Sequence, residues 1–214
     1  MPTIAEQVVG LNAALAEQLP TEANAIFGAD IARFAATPVP TTVATVGQQL
    51  PNVTVLDAEG ATTSFYDLLT HDQTVVVVYR GSWCPYCNLT LRAYEHDLVP
   101  ALAEHNVGFV ALTIQKPEGL EAMVSSNQLS FTAYSDHTGG LIDALGVWTT
   151  PADDVAATQA AFGLGVPEGN VDGTTRMPMP TTLVVSRDGT ISFIDVHPDF
   201  TTRTEVSEIL GALA

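Results

Sequence analysis

The chain has 214 residues, 46% of them apolar, and 24 acidic against seven basic side chains give a formal net charge of −17. That is enough for one domain with additions, or two small ones, around a sizeable core, and so acidic a surface repels nucleic acid and anionic membrane. No run approaches the ~18 uninterrupted apolar residues of a membrane span. The opening Met1-Pro2-Thr3-Ile4-Ala5-Glu6 lacks the basic and apolar regions of a signal peptide, so a cytoplasmic protein is expected.

Thr3-Ile4-Ala5-Glu6 reads as a capping box, and Ile4, Val8, Leu11, Leu15 and Leu19 follow at helical spacing up to Pro20. Ala23, Ile26, Phe27, Ile31 and Phe34 predict a second helix, interrupted at Gly28 and closed by Pro38 and Pro40. Residues 1–40 thus form a helical extension, expected to pack on a main domain at 41–214. A homodimer contact is a second use open to it.

The main domain opens with a short strand over residues 53–56, the turn Asp57-Ala58-Glu59-Gly60 and a return over 61–64. A helical turn at 65–69 precedes the Val-rich run 74–79, which reads as a central strand covered on both faces. A helix over roughly 88–103 follows, kinked at Pro100. Next come a strand at 109–114, a helix from Pro117 to about 126, a strand at 131–134 and a short helix at 140–145. Residues 148–176 are a weakly helical, then turn-rich insertion. Strands at 182–185 and 191–196 flank the turn Arg187-Asp188-Gly189. A last helix at 206–213 is capped by Thr202 and Glu205. The expected class is α/β: a mixed sheet flanked by helices.

The chain's only two cysteines fall in Tyr79-Arg80-Gly81-Ser82-Trp83-Cys84-Pro85-Tyr86-Cys87, between the Val-rich strand and a helix. This placement is the sequence form of a thioredoxin-like redox site. The first helical turn offers unpaired N–H groups and the positive end of the helix dipole, which favour a thiolate, and Pro85 suits a helix start. Zinc is the competing reading. It calls for about four ligands, whereas here one Cys pair stands alone and the five histidines lack ligand spacing. No metal and no other cofactor is implied.

These segments resemble the peroxiredoxin-like branch of the alkyl hydroperoxide reductase/thiol-specific antioxidant (AhpC/TSA) family, with a thioredoxin-like, peroxiredoxin-type fold. The resemblance rests on Tyr79 to Cys87, Thr113-Ile114-Gln115-Lys116-Pro117-Glu118, Met177 to Val185 and Asp195 to Arg203. It implies an antioxidant thiol–disulfide oxidoreductase cycling between the Cys84/Cys87 dithiol and disulfide, with a disulfide or peroxide as substrate and a thioredoxin- or glutathione-type thiol as electron donor. The alternatives are a thiol-dependent peroxidase proper, or a non-enzymatic redox sensor or binding module. Arg80, Trp83, Pro85, Tyr86, Met179 and Pro180 are the expected supporting residues, Met179–Pro180 as a cis-proline platform facing the cysteines.

Two departures bear on mechanism. The family places a Thr or Ser three residues before the peroxide-reactive Cys, and an Arg near the start of a later strand. With Cys87 in that role the Thr position holds Cys84, with Cys84 it holds Gly81, and Pro180 occupies the Arg position. Arg80 and Arg176 are the candidate substitutes. At the helix entrance Cys84 is expected to be the more accessible thiol and the nucleophile.

Overall fold

The computed structural model describes residues 2–213. Two helices lead, α1 (Ile4–Gln18) and α2 (Thr21–Ala35). The predicted capping box begins α1, with the Thr3 hydroxyl accepting from the Glu6 amide and the Glu6 carboxylate from the Thr3 amide. Gly28 does not interrupt α2, contrary to the sequence reading; a glycine inside a helix weakens it without having to end it.

The hairpin β1 (Thr54–Leu56) and β2 (Thr62–Ser64) leads into α3 (Phe65–Leu68) and the central strand β3 (Gln73–Val78). The redox motif opens α4 (Pro85–Ala93). A π-helical turn over Tyr94–Leu98 then joins it to α5 (Val99–Glu104). The predicted kink is this widened turn. Pro100 withholds an N–H from the His96 carbonyl and its ring crowds that group, and the helix accommodates this with an i→i+5 bond from the Val99 amide to the Tyr94 carbonyl.

Next come β4 (Gly108–Thr113), α6 (Pro117–Asn127), β5 (Ala133–Ser135) and α7 (Gly140–Leu145). The insertion holds β6 (Trp148–Thr149), α8 (Asp153–Ala161), α9 (Val166–Gly169) and β7 (Met177–Pro178), with β6 and β7 paired as a small ribbon. Strands β8 (Thr181–Ser186) and β9 (Ile191–Val196) and helix α10 (Val206–Gly211) close the chain.

Seven strands form one mixed sheet in the order β2-β1-β5-β4-β3-β8-β9. β3 runs parallel to β4 and antiparallel to β8. Its side chains alternate between two cores: Val75, Val77 and Tyr79 point to the face carrying α1, α4, the π turn and α6, while Val76 and Val78 point to the face carrying α3 and α7. Double burial explains the nearly continuous valine run, because a strand with no solvent face needs no polar alternation. No helix among the described residues is long and apolar enough to cross a membrane.

Candidate active site

The motif sits where β3 ends and α4 begins, on the first of these two faces. Cys84 is the N-cap of α4 and Pro85 its first residue, where a missing N–H costs nothing; Cys87 falls one turn in. The preceding loop is clamped by side chains. Gln115 Oε1 accepts from the Ser82 amide at 2.6 Å, and Asn88 Nδ2 donates to the Ser82 and Cys84 carbonyls at 2.7 and 2.8 Å. Asn127, held by Arg92, donates in turn to Asn88. A Cβ at Gly81 would overlap the Trp83 indole, so glycine lets that ring lie against the loop.

Both sulfurs are sequestered. Cys84 is 0% and Cys87 1% exposed, which corrects the expectation that Cys84 is the more accessible: the helix entrance is roofed by α1 and α2. Two arginines approach. Arg203 Nη2 lies 3.4 Å from Cys87 Sγ, and Arg80 Nη1 lies 4.0 Å from Cys84 Sγ. Arg80 is itself 4% exposed. It donates through Nε to Met177 Sδ at 3.1 Å, and its guanidinium lies 4.0 Å from the Phe200 ring centre and 5.1 Å from that of Trp83.

These charges separate the thiols. Burial pushes the Cys84 thiol up, and its hydrogen bond to Cys87 and that group's negative charge push it further, against Arg80 and Arg203. Burial also opposes ionisation of Cys87. There it is outweighed by the hydrogen bond from Cys84, then by the guanidiniums of Arg203 and Arg80, then by the Arg80 amide, so the thiol is held well below its usual range. Of the two sulfurs, the arginines thus favour the thiolate at Cys87 over Cys84. The motif's Tyr86 is a pillar. Its phenol, pushed up to about 12 by burial, donates to Asn12 Oδ1 of α1 at 2.7 Å, and its ring meets Phe200 edge-on at 5.8 Å.

Arg203 is the side chain sequence reasoning missed. Its loop follows β9 and is held by His197, which contacts Asp195 at 2.9 Å and Thr202 at 2.7 Å, and by Asp199, which accepts from Thr201. Hydrogen bonds from Arg203 to the Phe200 and Thr202 carbonyls fix the guanidinium. Thr202 therefore braces this loop and leaves the start of α10 to Glu205 and Glu208. Arg176, one expected substitute, is taken by Asp172 at 2.6 Å and by the Trp148 ring.

The structure brings Arg80, Trp83, Pro85 and Tyr86 together with the cysteines but not Met179 and Pro180. Every peptide bond among the described residues is trans, so Met179–Pro180 is not a cis platform. The Met179 amide already donates to the Val147 carbonyl at 2.7 Å and its side chain packs in the core of the opposite face, while the Pro180 carbonyl accepts from the His197 amide. With its amide used by the ribbon, Met179 offers no free edge for a substrate; Met177, two residues earlier, is the methionine that reaches the site, through Arg80.

A strand–loop–helix dithiol flanked by two arginines, on a seven-stranded mixed sheet, defines a peroxiredoxin-type thioredoxin-like protein. Residues 46–194 match the AhpC/TSA family, and the chain belongs to it; it is a thiol-dependent oxidoreductase. Among solved structures, peroxidoxin BcpB of Mycobacterium tuberculosis superposes with a TM-score of 0.58 at 17% identity, covering 78% of this chain and 95% of that one. A mutant of Xylella fastidiosa PrxQ gives 0.60 at 12% identity over 79% and 94%. Reduced Prx3 of Vibrio vulnificus in complex with hydrogen peroxide gives 0.62 at 17% over 80% and 99%. At these identities the likeness is one of fold. No curated protein matches the sequence.

Proposed function

We propose that the protein is an antioxidant oxidoreductase that cycles between the Cys84/Cys87 dithiol and its disulfide, with Cys87 as nucleophile and a small peroxide as oxidant. The observation that carries this reading is the pair of arginines at the sulfurs, Arg203 Nη2 3.4 Å from Cys87 Sγ and Arg80 Nη1 4.0 Å from Cys84 Sγ, which favours the thiolate at Cys87. A thiolate is the reactive form. Burial of both sulfurs supports a hydroperoxide over a protein disulfide, which could not reach them. The Cys87 thiolate attacks one peroxide oxygen and breaks the O–O bond; the other oxygen leaves as alkoxide or hydroxide and takes a proton, and Cys87 becomes the sulfenic acid. The Cys84 sulfur then attacks Cys87, forming the disulfide and releasing water.

The arginines stand in for the family's usual strand Arg, while the Thr hydroxyl has no replacement, since Cys84 holds its position. A peroxide-activating site stabilises charge developing on the oxygens, and one missing donor costs about 2.7–4 kcal/mol. Oxidation is therefore expected to be slow for a peroxiredoxin-type site. The test is peptide mapping after hydrogen peroxide. Wild type should yield a Cys84–Cys87 disulfide, Cys84→Ser a sulfenic acid on Cys87, and Cys87→Ser neither. A sulfenic acid on Cys84 in Cys87→Ser, with Cys87 unreactive in Cys84→Ser, would reverse the assignment in favour of Cys84.

A further inference from the structure

A cavity of about 450 Å³ lies against the site, bounded by α1, α2, α8 and the motif. Helices α1 and α2 precede the residues that match the AhpC/TSA family. The volume is that of a small-molecule site. Its walls are largely apolar, with Leu15, Ile31 and Phe200 lining it and the Phe27 and Phe162 rings, 6.4 Å apart, joining α2 to α8.

Of the polar side chains in this wall, two are buried with an unpaired oxygen. Asp30 and Gln159 are buried and line the cavity; Asp30 Oδ1 accepts from Arg33, while among the described residues Asp30 Oδ2 and Gln159 Oε1 have no hydrogen-bond partner. Unpaired buried acceptors are costly, so each calls for a donor from the occupant. Arg80, Trp83 and Cys84 are at the motif end; Cys87 does not line the cavity.

We infer that this cavity admits the reductant: a small thiol with an apolar body and a hydrogen-bond-donating group, which attacks the Cys84 sulfur of the oxidised pair. The inference rests on the dithiol–disulfide cycle proposed above. Cys84 is the sulfur on the cavity side, and attack there expels Cys87, whose thiolate the two arginines stabilise. In disulfide exchange the better-stabilised thiolate leaves faster. The apolar walls favour an apolar body over a strongly hydrated one.

The electrons balance over two steps. A first thiolate forms a bond to Cys84 Sγ and breaks the Cys84–Cys87 bond, leaving a mixed disulfide on Cys84 and a thiolate on Cys87. A second reductant thiolate attacks the sulfur of the first, releasing the small disulfide and the Cys84 thiolate, which takes a proton. Two reductant thiols are oxidised and one protein disulfide is reduced. Cys84 is fully covered in the dithiol, so the reductant must displace a side chain at this end; the indole N–H of Trp83 has no acceptor among the described residues, so no hydrogen bond of that ring opposes its movement.

The test uses the full chain oxidised with hydrogen peroxide, freed of it, and reduced with excess 4-(mercaptomethyl)phenol or (4-methylphenyl)methanethiol, two probes of one size of which only the first carries a hydrogen-bond donor on its ring. Free thiols are trapped by alkylation over time, and rates are expressed per thiolate. The phenol should reduce the pair at least about tenfold faster. Gly28→Leu grows a side chain from the cavity wall, where an added Cβ meets nothing within 4 Å, and should slow reduction by the phenol about tenfold. Equal rates for the two probes, or an unchanged rate in a folded Gly28→Leu protein, overturn the inference and leave the dithiol–disulfide cycle standing. If peroxide forms no Cys84–Cys87 disulfide, the cycle itself fails and this inference with it.

Discussion

The two faces of the sheet use the same strands for different ends. On one face, Val76 and Val78 of β3, Leu183 and Val185 of β8 and Met179 build a core under α3 and α7. On the other, one residue out of step, Val75, Val77 and Tyr79 lead to Cys84, Cys87 and the arginines under α1 and α2. Neighbouring residues of one strand thus answer to separate demands: packing on one side, control of charge on the other. A substitution on the first face should change stability without changing thiol chemistry, and the reverse should hold beside the cysteines.

The largest effect should come from Met179→Ala. Emptying a buried methionine site costs about 2–5 kcal/mol, to be read as a lower midpoint in urea denaturation. Iodoacetamide labelling of Cys87 in the folded variant should stay within about twofold of wild type, because Met179 lies on the opposite face. A tenfold loss of labelling would break the separation of the faces and restore Met179 as part of the site.

Arg203→Met acts in the other direction. Hydrogen bonds to charged groups are worth about 1.5–3 kcal/mol, so removing the guanidinium 3.4 Å from Cys87 should slow Cys87 alkylation at neutral pH about 10- to 100-fold. Arg203→Lys should recover part of the rate. An unchanged Cys87 rate in Arg203→Met would mean that Arg80 and the helix start suffice to hold the thiolate.

A smaller effect sharpens the account of how Arg203 is held. The hydrogen bond from His197, assisted by its charge and by Thr204, keeps the Asp195 carboxyl below its ordinary value against the opposing effect of burial. A carboxyl depressed on folding stabilises the native state fully above its unfolded pKa of about 3.9, and that contribution is lost as pH falls through the folded value. The pair is partly exposed, so of order 1 kcal/mol is expected after screening. The melting-temperature advantage of wild type over Asp195→Asn should be flat between about pH 5 and 7 and shrink below about pH 4. An advantage that grows on acidification would show that the carboxylate does not brace the loop.

Much of the fold was legible because its signals are local. The valine run, the capping box at Thr3, the Arg187-Asp188-Gly189 turn and the Cys-Pro-Tyr-Cys helix start each declare themselves within a few residues. The site was legible only where it shares that locality. Arg203 reaches Cys87 across 116 positions, and one arginine after a His-Pro-Asp turn carries no local mark of a thiolate partner. Met179–Pro180 misled because the chain has two Met-Pro pairs in succession, and which of them faces the motif depends on the pairing of β6 with β7. The accessibility of Cys84 was misjudged because a helix start read alone looks open, and the roof over it is made by residues 50 and more positions upstream.

That roof has a consequence for how the chain is made. The first amides of α1, at Ile4 and Ala5, donate to the two carboxylate oxygens of Glu205, at 2.9 and 2.8 Å. Their acceptor is thus about 200 residues away and leaves the ribosome long after the Cys84–Cys87 segment has emerged. Contacts of such separation form only once the intervening chain is in place. During synthesis the two thiols therefore spend an interval without their cover and without Arg203, open to oxidants but not yet tuned to meet them.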